Sequence, residues 1–174
     1  EERDVINQLY QAFVDTVRAT GGWNADRTLI ISSHAQSITK EAVSAVKIPD
    51  DAHIAVSIHS YAPWDFCGTE DTRSDWGSDA DKQELDTMFQ YLDDTFVSKG
   101  IPVIIDETGC VNKNENTSAR VAWFSYYLST AKKHGIKCFI WDNNETKNGF
   151  GLLNRKDCTW YYPEIIEAIQ NATK

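Results

Sequence analysis

The feature that most constrains the fold is a strand–loop–helix order that recurs along the chain. Four short runs are mainly apolar at consecutive positions, as in strands that are buried on both faces. These runs are 29–31, 54–58, 102–105 and 138–141. Such strands, separated by helices, belong to a parallel sheet that is covered on both sides. The pattern therefore predicts an α/β fold, either doubly wound or closed as a barrel, and periodicity alone does not distinguish the two.

Five helical segments surround these strands. The opening segment has Val5, Leu9, Phe13 and Val17 on one face and ends at the glycine pair 21–22. The other helices are predicted at about 38–46, 80–97, 117–134 and 162–172. A long polar and aromatic loop covers 60–78, and 149–153 is predicted as a loop or hairpin. No linker interrupts the pattern, so residues 1–174 are predicted to form one unit.

Composition excludes several classes of function. The net charge of -9 and the pI near 4.8 repel a phosphate backbone and an anionic membrane, so we expect neither nucleic acid nor membrane as a partner. There is no apolar run of about 18 residues that would span a bilayer. The chain has no glycine-rich phosphate loop, no Gly-x-Ser-x-Gly and no His-Glu-x-x-His. Phosphoryl transfer, serine hydrolysis and zinc proteolysis therefore lack their usual motifs.

The cysteines and the glycosylation sequons bear on the compartment. The four cysteines contain no Cys-x-x-Cys pair, which argues against a zinc or redox motif. Cys67 and Cys110 follow neighbouring strands and are candidates for a disulfide, but all three pairings of the four residues stay open. Sequons at Asn116, Asn144 and Asn171 suit an exported protein. We therefore expect an extracellular location.

Polar side chains that could take part in catalysis follow the predicted strands, which is where barrel enzymes carry their sites. Glu107 comes directly after the third strand, and His59 and Tyr61 lie two residues apart at the end of the second. Because side chains alternate along a strand, a Glu107 that points into the site would turn Asp106 toward the helices, in a structural role. The alternative is that all three residues are structural. Glu107 would then be tied to a loop amide, His59 would be a buried histidine with a satisfied hydrogen bond, and Tyr61 would serve in packing.

Three tryptophans are candidates for sugar binding. Trp141 ends the fourth strand, where its flat face would stack on a pyranose ring, although a core position is the alternative. Trp64 and Trp76 lie in the long loop and would either extend a sugar cleft or pack the loop down.

Three segments together resemble glycoside hydrolase family 5, in both order and spacing. They are His59-Ser60-Tyr61, the stretch 101–109 that contains Glu107, and the stretch 138–143 that contains Trp141-Asp142-Asn143. The opening stretch 13–27 is similar to the helix that leads into the fifth strand of that family's endoglucanase and xyloglucanase branch. The resemblance implies a (β/α)8 barrel that hydrolyses β-1,4-glucan with retention. It also implies Glu107 as nucleophile, His59 and Tyr61 as active-site residues, and Trp141 as the residue that stacks on the sugar, with no metal or organic cofactor. We expect Trp64 and Asn143 to bind the substrate as well.

Two departures from the family pattern are visible. Asp106 stands where the family usually carries glycine, and the acid/base glutamate, which follows an asparagine at the end of the fourth strand, has no counterpart here. The pairs Asn114-Glu115 and Asn144-Glu145 fall in polar loops without a preceding strand. A complete barrel takes roughly 250 residues and eight βα units, and this chain supplies four strands. We therefore expect the C-terminal half of a barrel, about strands 5 to 8, with the N-terminal half as its partner.

Two further hypotheses compete with the half-barrel enzyme. One is a non-catalytic carbohydrate-binding α/β domain that uses the exposed tryptophans. The other is a small doubly wound domain with an open sheet, in which Glu107 is structural.

Overall fold

The computed structural model of the chain describes residues 2–69 and 73–174. Its main sheet has four parallel strands, β1 (Leu29–Ser32), β2 (Ile54–His59), β3 (Val103–Thr108) and β4 (Lys137–Ile140). Their spatial order follows the chain order. A short antiparallel hairpin, β5 (Leu153–Asn154) with β6 (Thr159–Trp160), follows the sheet. All four predicted strands are thus present, and the segment predicted as a loop or hairpin leads into this hairpin.

The helices are α1 (Glu2–Ala19), α2 (Lys40–Ser44), α3 (Trp64–Cys67), α4 (Asp79–Thr95), α5 (Thr117–Lys133) and α6 (Pro163–Thr173). Five of them were predicted, whereas α3 was not. The start of α4 is set by Ser78 and Asp81, whose side chains form a reciprocal capping box. In the part of the chain that the structure describes, no helix is both long and apolar enough to cross a membrane.

The helices pack on one face of the sheet, and this packing decides between the two folds left open by periodicity. Outward-facing strand residues such as Val56, Ile58 and Ile105 are buried against α4 and α5. On the opposite face, Ile30 and Phe139 are 52% and 59% exposed. A doubly wound sheet would carry helices on both faces. Sequential strand order with helices on one side is the geometry of a section of a (β/α)8 barrel.

Two apolar features of this section are unpartnered in the described residues. Strands β1 and β4 lie at the two edges of the sheet. On α1, Val5, Leu9 and Phe13 are exposed, whereas Val14 is buried and Val17 packs against the core. The predicted apolar face of α1 is therefore only partly the face that packs here.

Candidate active site

A β-bulge at the carboxyl end of β3 shapes the candidate site. Ile58 pairs with Ile105, yet the next residue of β2, His59, pairs with Glu107, so Asp106 is an extra residue in β3. The insertion breaks the alternation of side chains. Asp106 and Glu107 both contact His59, whose side chain they flank. The prediction that Asp106 turns toward the helices is therefore wrong, because it assumed a regular strand.

Glu107 is held through one of its two carboxylate oxygens. The Tyr61 hydroxyl donates a 2.9 Å hydrogen bond to Oε2 of Glu107. His59 Nδ1 lies 3.2 Å from the same oxygen. No side chain in the described ranges hydrogen-bonds Oε1. The structure thus brings together the three residues that the sequence nominated as catalytic, and it leaves one oxygen of Glu107 free to react.

Tyr61 is suited to act as a hydrogen-bond donor to Glu107. Burial raises the pKa of its phenol, and the hydrogen bond to Glu107 and the charges of Glu107 and Asp106 raise it further. The hydroxyl therefore stays protonated. Its ring is fixed by the edge of Trp64, at a centroid distance of 6.3 Å, and by Phe150, at 5.3 Å. Sequence reasoning did not identify Phe150, since it lies 89 residues further along the chain in an irregular loop.

The predicted sugar-binding residues have different surroundings. Trp141 directly follows β4, is 42% exposed, and donates its backbone N–H to Thr108 O at 2.8 Å. Trp64 is 52% exposed and packs beside Tyr61. Both present open aromatic surface near the strand ends. Trp76, by contrast, is buried against Tyr126 at a centroid distance of 5.8 Å, so it packs the loop instead of lining a cleft.

Asn143 and Asp142 organise the loop after Trp141. Asn143 Oδ1 accepts hydrogen bonds from the backbone N–H groups of Glu145 and Phe150, at 3.1 and 3.0 Å. Burial opposes ionisation of Asp142, but backbone donors led by Leu152 and Leu153, together with Arg155, outweigh it and lower its pKa. The Asn143 amide oxygen is thus already engaged in holding Phe150 near Tyr61.

The cysteines are free thiols in this structure. Cys67 and Cys110 are buried, and burial raises the pKa of both thiols, that of Cys110 to about 12. The backbone N–H of Val111 bonds Cys67 O at 3.2 Å, so the two loops are adjacent. Among the described residues, no group of three His, Cys, Asp or Glu side chains is arranged to hold a metal ion.

One of the three sequons is inaccessible. Asn116 is buried, its Oδ1 accepts from the N–H of Lys113, and its Nδ2 donates to Val111 O. Asn144 and Asn171 are exposed. Only these two are open to glycosylation in the folded chain.

Comparison with known proteins agrees with this geometry. The family model described as cellulase (glycosyl hydrolase family 5) matches residues 1–147. The chain belongs to glycosyl hydrolase family 5. It is 41% identical to endoglucanase A of Clostridium longisporum over 97% of this chain and 34% of that protein. It is 42% identical to endoglucanase 1 of Ruminococcus albus over 98% of this chain and 42% of that protein. The chain thus spans less than half of these relatives.

Solved structures of the family give the same picture. The chain is similar to the GH5-4 broad specificity endoglucanase from Clostridium longisporum, with a TM-score of 0.94, 38% identity and coverage of 99% of this chain and 51% of that one. It is also similar to the enzyme of the same description from Ruminococcus champanellensis with bound cellotriose. For that structure the TM-score is 0.89 and the identity is 42%, with coverage of 99% of this chain and 50% of that one. The family-5 chain described here corresponds to about half of each barrel.

Proposed function

We propose that this chain is the C-terminal half of a retaining endo-β-1,4-glucanase and that it carries the nucleophile, Glu107. The observation that carries the proposal is the convergence of Tyr61 and His59 on one oxygen of Glu107. A carboxylate held at Oε2 presents Oε1 in a defined direction, which an attack on an anomeric carbon requires. Relatives that are named endoglucanases support the same reaction class.

The first step of the proposed reaction forms one bond and breaks one. Oε1 of Glu107 attacks the anomeric carbon, the glycosidic C–O bond breaks, and the leaving oxygen takes a proton from a second carboxyl group. Water, deprotonated by that same group, then hydrolyses the glycosyl ester and regenerates Glu107. Such a mechanism needs the two carboxyl groups about 5 Å apart. Glu115 and Glu145 are exposed residues of irregular loops, so neither fits this role.

We place the acid/base group in an N-terminal half that closes the barrel. The open edges of β1 and β4 and the exposed Ile30 and Phe139 are the surfaces that such a half would cover. A further apolar cavity of about 420 Å³ lies next to β4, lined by Ile140, Leu152 and Trp160 among others. "Complete barrel" below means this chain together with that half, whether they form one polypeptide or two.

We propose a β-1,4-glucan as substrate, with Trp141 and Trp64 as stacking surfaces. Both rings are exposed near the strand ends that carry Glu107. Axial hydrogens of a pyranose pack on such faces, while its hydroxyls need polar neighbours. Because a glucan polymer does not enter cells, we also propose that the enzyme is secreted, which cell fractionation with activity assays would test.

The function is tested by trapping the glycosyl–enzyme. The complete barrel is incubated with a 2-deoxy-2-fluoro cellobioside that carries an activated leaving group, and the intact mass and peptide map are recorded. We expect one glycosyl adduct on Glu107, because a leaving group of this kind departs without acid assistance. Glu107→Gln should give no adduct and no turnover, whereas the control Glu115→Gln should retain both.

Two results would contradict the proposal. An adduct on another residue would remove Glu107 as nucleophile. Unchanged glucan turnover in Glu107→Gln would favour the alternative of a non-catalytic binding domain.

A further inference from the structure

The imidazole of His59 lies between two carboxylates. Its Nδ1 is 3.2 Å from Oε2 of Glu107, and its Nε2 is 3.4 Å from Oδ1 of Asp106. The bulge in β3 produces this arrangement, since it places two consecutive acidic residues against one residue of β2. The proposed reaction uses only Glu107, so the contact of Asp106 with His59 has no role in it so far.

The surroundings of Asp106 show why its contact with His59 matters. Its side chain is 37% exposed as a whole, yet Oδ1 is buried and makes no hydrogen bond of good geometry within the described ranges. A buried carboxylate oxygen needs a donor or a positive charge. Nε2 of His59, at 3.4 Å, is the nitrogen that faces this oxygen.

The second oxygen of Asp106 is held from the short helical turn His34–Gln36, which follows β1. Nε2 of Gln36 donates to Oδ2 of Asp106 at 3.4 Å. Gln36 and its neighbour Ala35 both have a backbone φ of 53°, which is unfavourable for most residues other than glycine. Such a backbone persists only where surrounding contacts support it. The His59 ring on β2 is thus contacted by two acidic residues of β3, one of which is also held by Gln36.

We propose that Asp106 is a positioning residue, which holds the His59 imidazole so that Nδ1 stays in contact with Oε2 of the nucleophile. Without Asp106, the ring loses the partner of Nε2 and is free to rotate away from Glu107. Tyr61 alone would then hold Oε2, and the direction of Oε1 would be less defined. This inference rests on the proposed function, because it assigns Asp106 a part in presenting Glu107 to the sugar.

The test is a double-mutant cycle on the complete barrel with a soluble β-1,4-glucan. We expect Asp106→Asn to lower kcat about tenfold with KM within twofold, because Asp106 acts on Glu107 and not on the sugar. His59→Gln should lower kcat by at least as much. Adding Asp106→Asn to His59→Gln should change kcat by less than twofold, since the contact it removes is already gone. Asp106→Gly provides a second variant that removes the carboxylate, and Asp106→Glu should restore part of the rate.

A matched control is available on the helices. Asp93 forms the same kind of pair with His134, Oδ2 to Nδ1 at 2.7 Å, and neither residue belongs to the site. Asp93→Asn should therefore lower the melting temperature and leave kcat unchanged. A fall in kcat in Asp93→Asn as large as that in Asp106→Asn would mean that both act through stability, which overturns the positioning role.

The cycle also separates this inference from the proposed function. If the wild-type barrel cleaves glucan and Asp106→Asn and Asp106→Gly keep its kcat, Asp106 has no positioning role and the function stands. Independent, multiplicative effects of Asp106→Asn and His59→Gln would equally refute action through His59. If the wild-type barrel neither cleaves glucan nor is trapped at Glu107, the proposed function fails and the inference fails with it.

Discussion

Replacing Tyr61 by phenylalanine tests most directly how the proposed nucleophile, Glu107, is held. The change removes one oxygen and with it the 2.9 Å hydrogen bond to Oε2 of Glu107. The ring contacts with Trp64 and Phe150 remain, because they involve the aromatic face and edge. Tyr61→Phe therefore tests the hydroxyl and not the packing.

The size of the effect follows from the chemistry of that bond. A hydrogen bond to a charged group contributes about 1.5–3 kcal/mol, which corresponds to roughly 10- to 150-fold in rate if it were lost only in the transition state. The carboxylate, however, gives up its charge as it attacks, so the bond weakens along the reaction. What remains is the orientation of Oε1. We expect kcat to fall roughly ten- to thirtyfold and KM to change by less than about threefold.

The assay is steady-state hydrolysis of a soluble β-1,4-glucan by the complete barrel, together with the rate of trapping by the fluorinated cellobioside. Tyr126→Phe is the matched control, since its hydroxyl bonds both carboxylate oxygens of Asp86 at 3.0 Å between α4 and α5. It should cost stability and leave kcat unchanged. If Tyr61→Phe keeps kcat within about twofold while Glu107→Gln is inactive, the hydroxyl does not orient the nucleophile.

Three further changes test other parts of the structure, each in the complete barrel. Asp81 is only 8% exposed, and although burial opposes its ionisation, Arg73 and the N–H groups at Gly77 and Ser78 lower its pKa to about 2. Because the folded pKa lies below the ordinary value of 3.8, its contribution of about 2 kcal/mol is present above that value and is lost as the pH falls toward 2. Thermal unfolding at pH 6 and pH 3 should show a larger loss of Tm for wild type than for Asp81→Asn, and equal losses would contradict this. In Gly68→Ala, the new Cβ would lie 2.6 Å from Cε2 and 2.8 Å from the backbone oxygen of Trp64, so the indole and the backbone of α3 should move, with a shift in tryptophan fluorescence and a higher KM. An unchanged KM would remove Trp64 from the sugar surface. Trp141→Ala should raise KM roughly fivefold or more through loss of about 1 kcal/mol of stacking, and an unchanged KM would make Trp141 a structural residue.

The arrangement of strands and helices could be predicted from the sequence because it depends on local patterns. Runs such as 29–31 are continuously apolar, and glycines such as Gly100 and Gly135 end helices in left-handed conformations of φ 80° and 71°. The choice between a doubly wound sheet and a barrel was different. It depends on which face of the sheet the helices cover. That is a long-range property, which the sequence of a single strand does not reveal.

The clustering of the proposed catalytic residues was predictable for a similar reason, and the position of Asp106 was not. His59, Tyr61 and Glu107 are polar residues directly after apolar runs, which the sequence shows. The orientation of Asp106 depends on one inserted residue in the pairing of β3 with β2. A bulge of this kind arises from pairing between residues more than 40 positions apart, so alternation along β3 alone gave the wrong face. Phe150 was missed because its contact with Tyr61 depends on a loop held by Asn143.

These contacts also explain how half a barrel can hold the carboxylate of Glu107 in position. Glu107, His59 and Asp106 lie on two strands that are hydrogen-bonded neighbours. Gln36 lies in the short turn after β1, and Tyr61 lies two residues after the end of β2. Their geometry therefore depends on pairing inside this chain and not on closure of the barrel. The proposed general acid has no such local support, because in our proposal strands that pair with the open edges bring it within about 5 Å of Glu107. Perturbing the edges should thus impair steps that need the acid far more than trapping by an activated glycoside, whereas changes at Tyr61 or Asp106 should impair both.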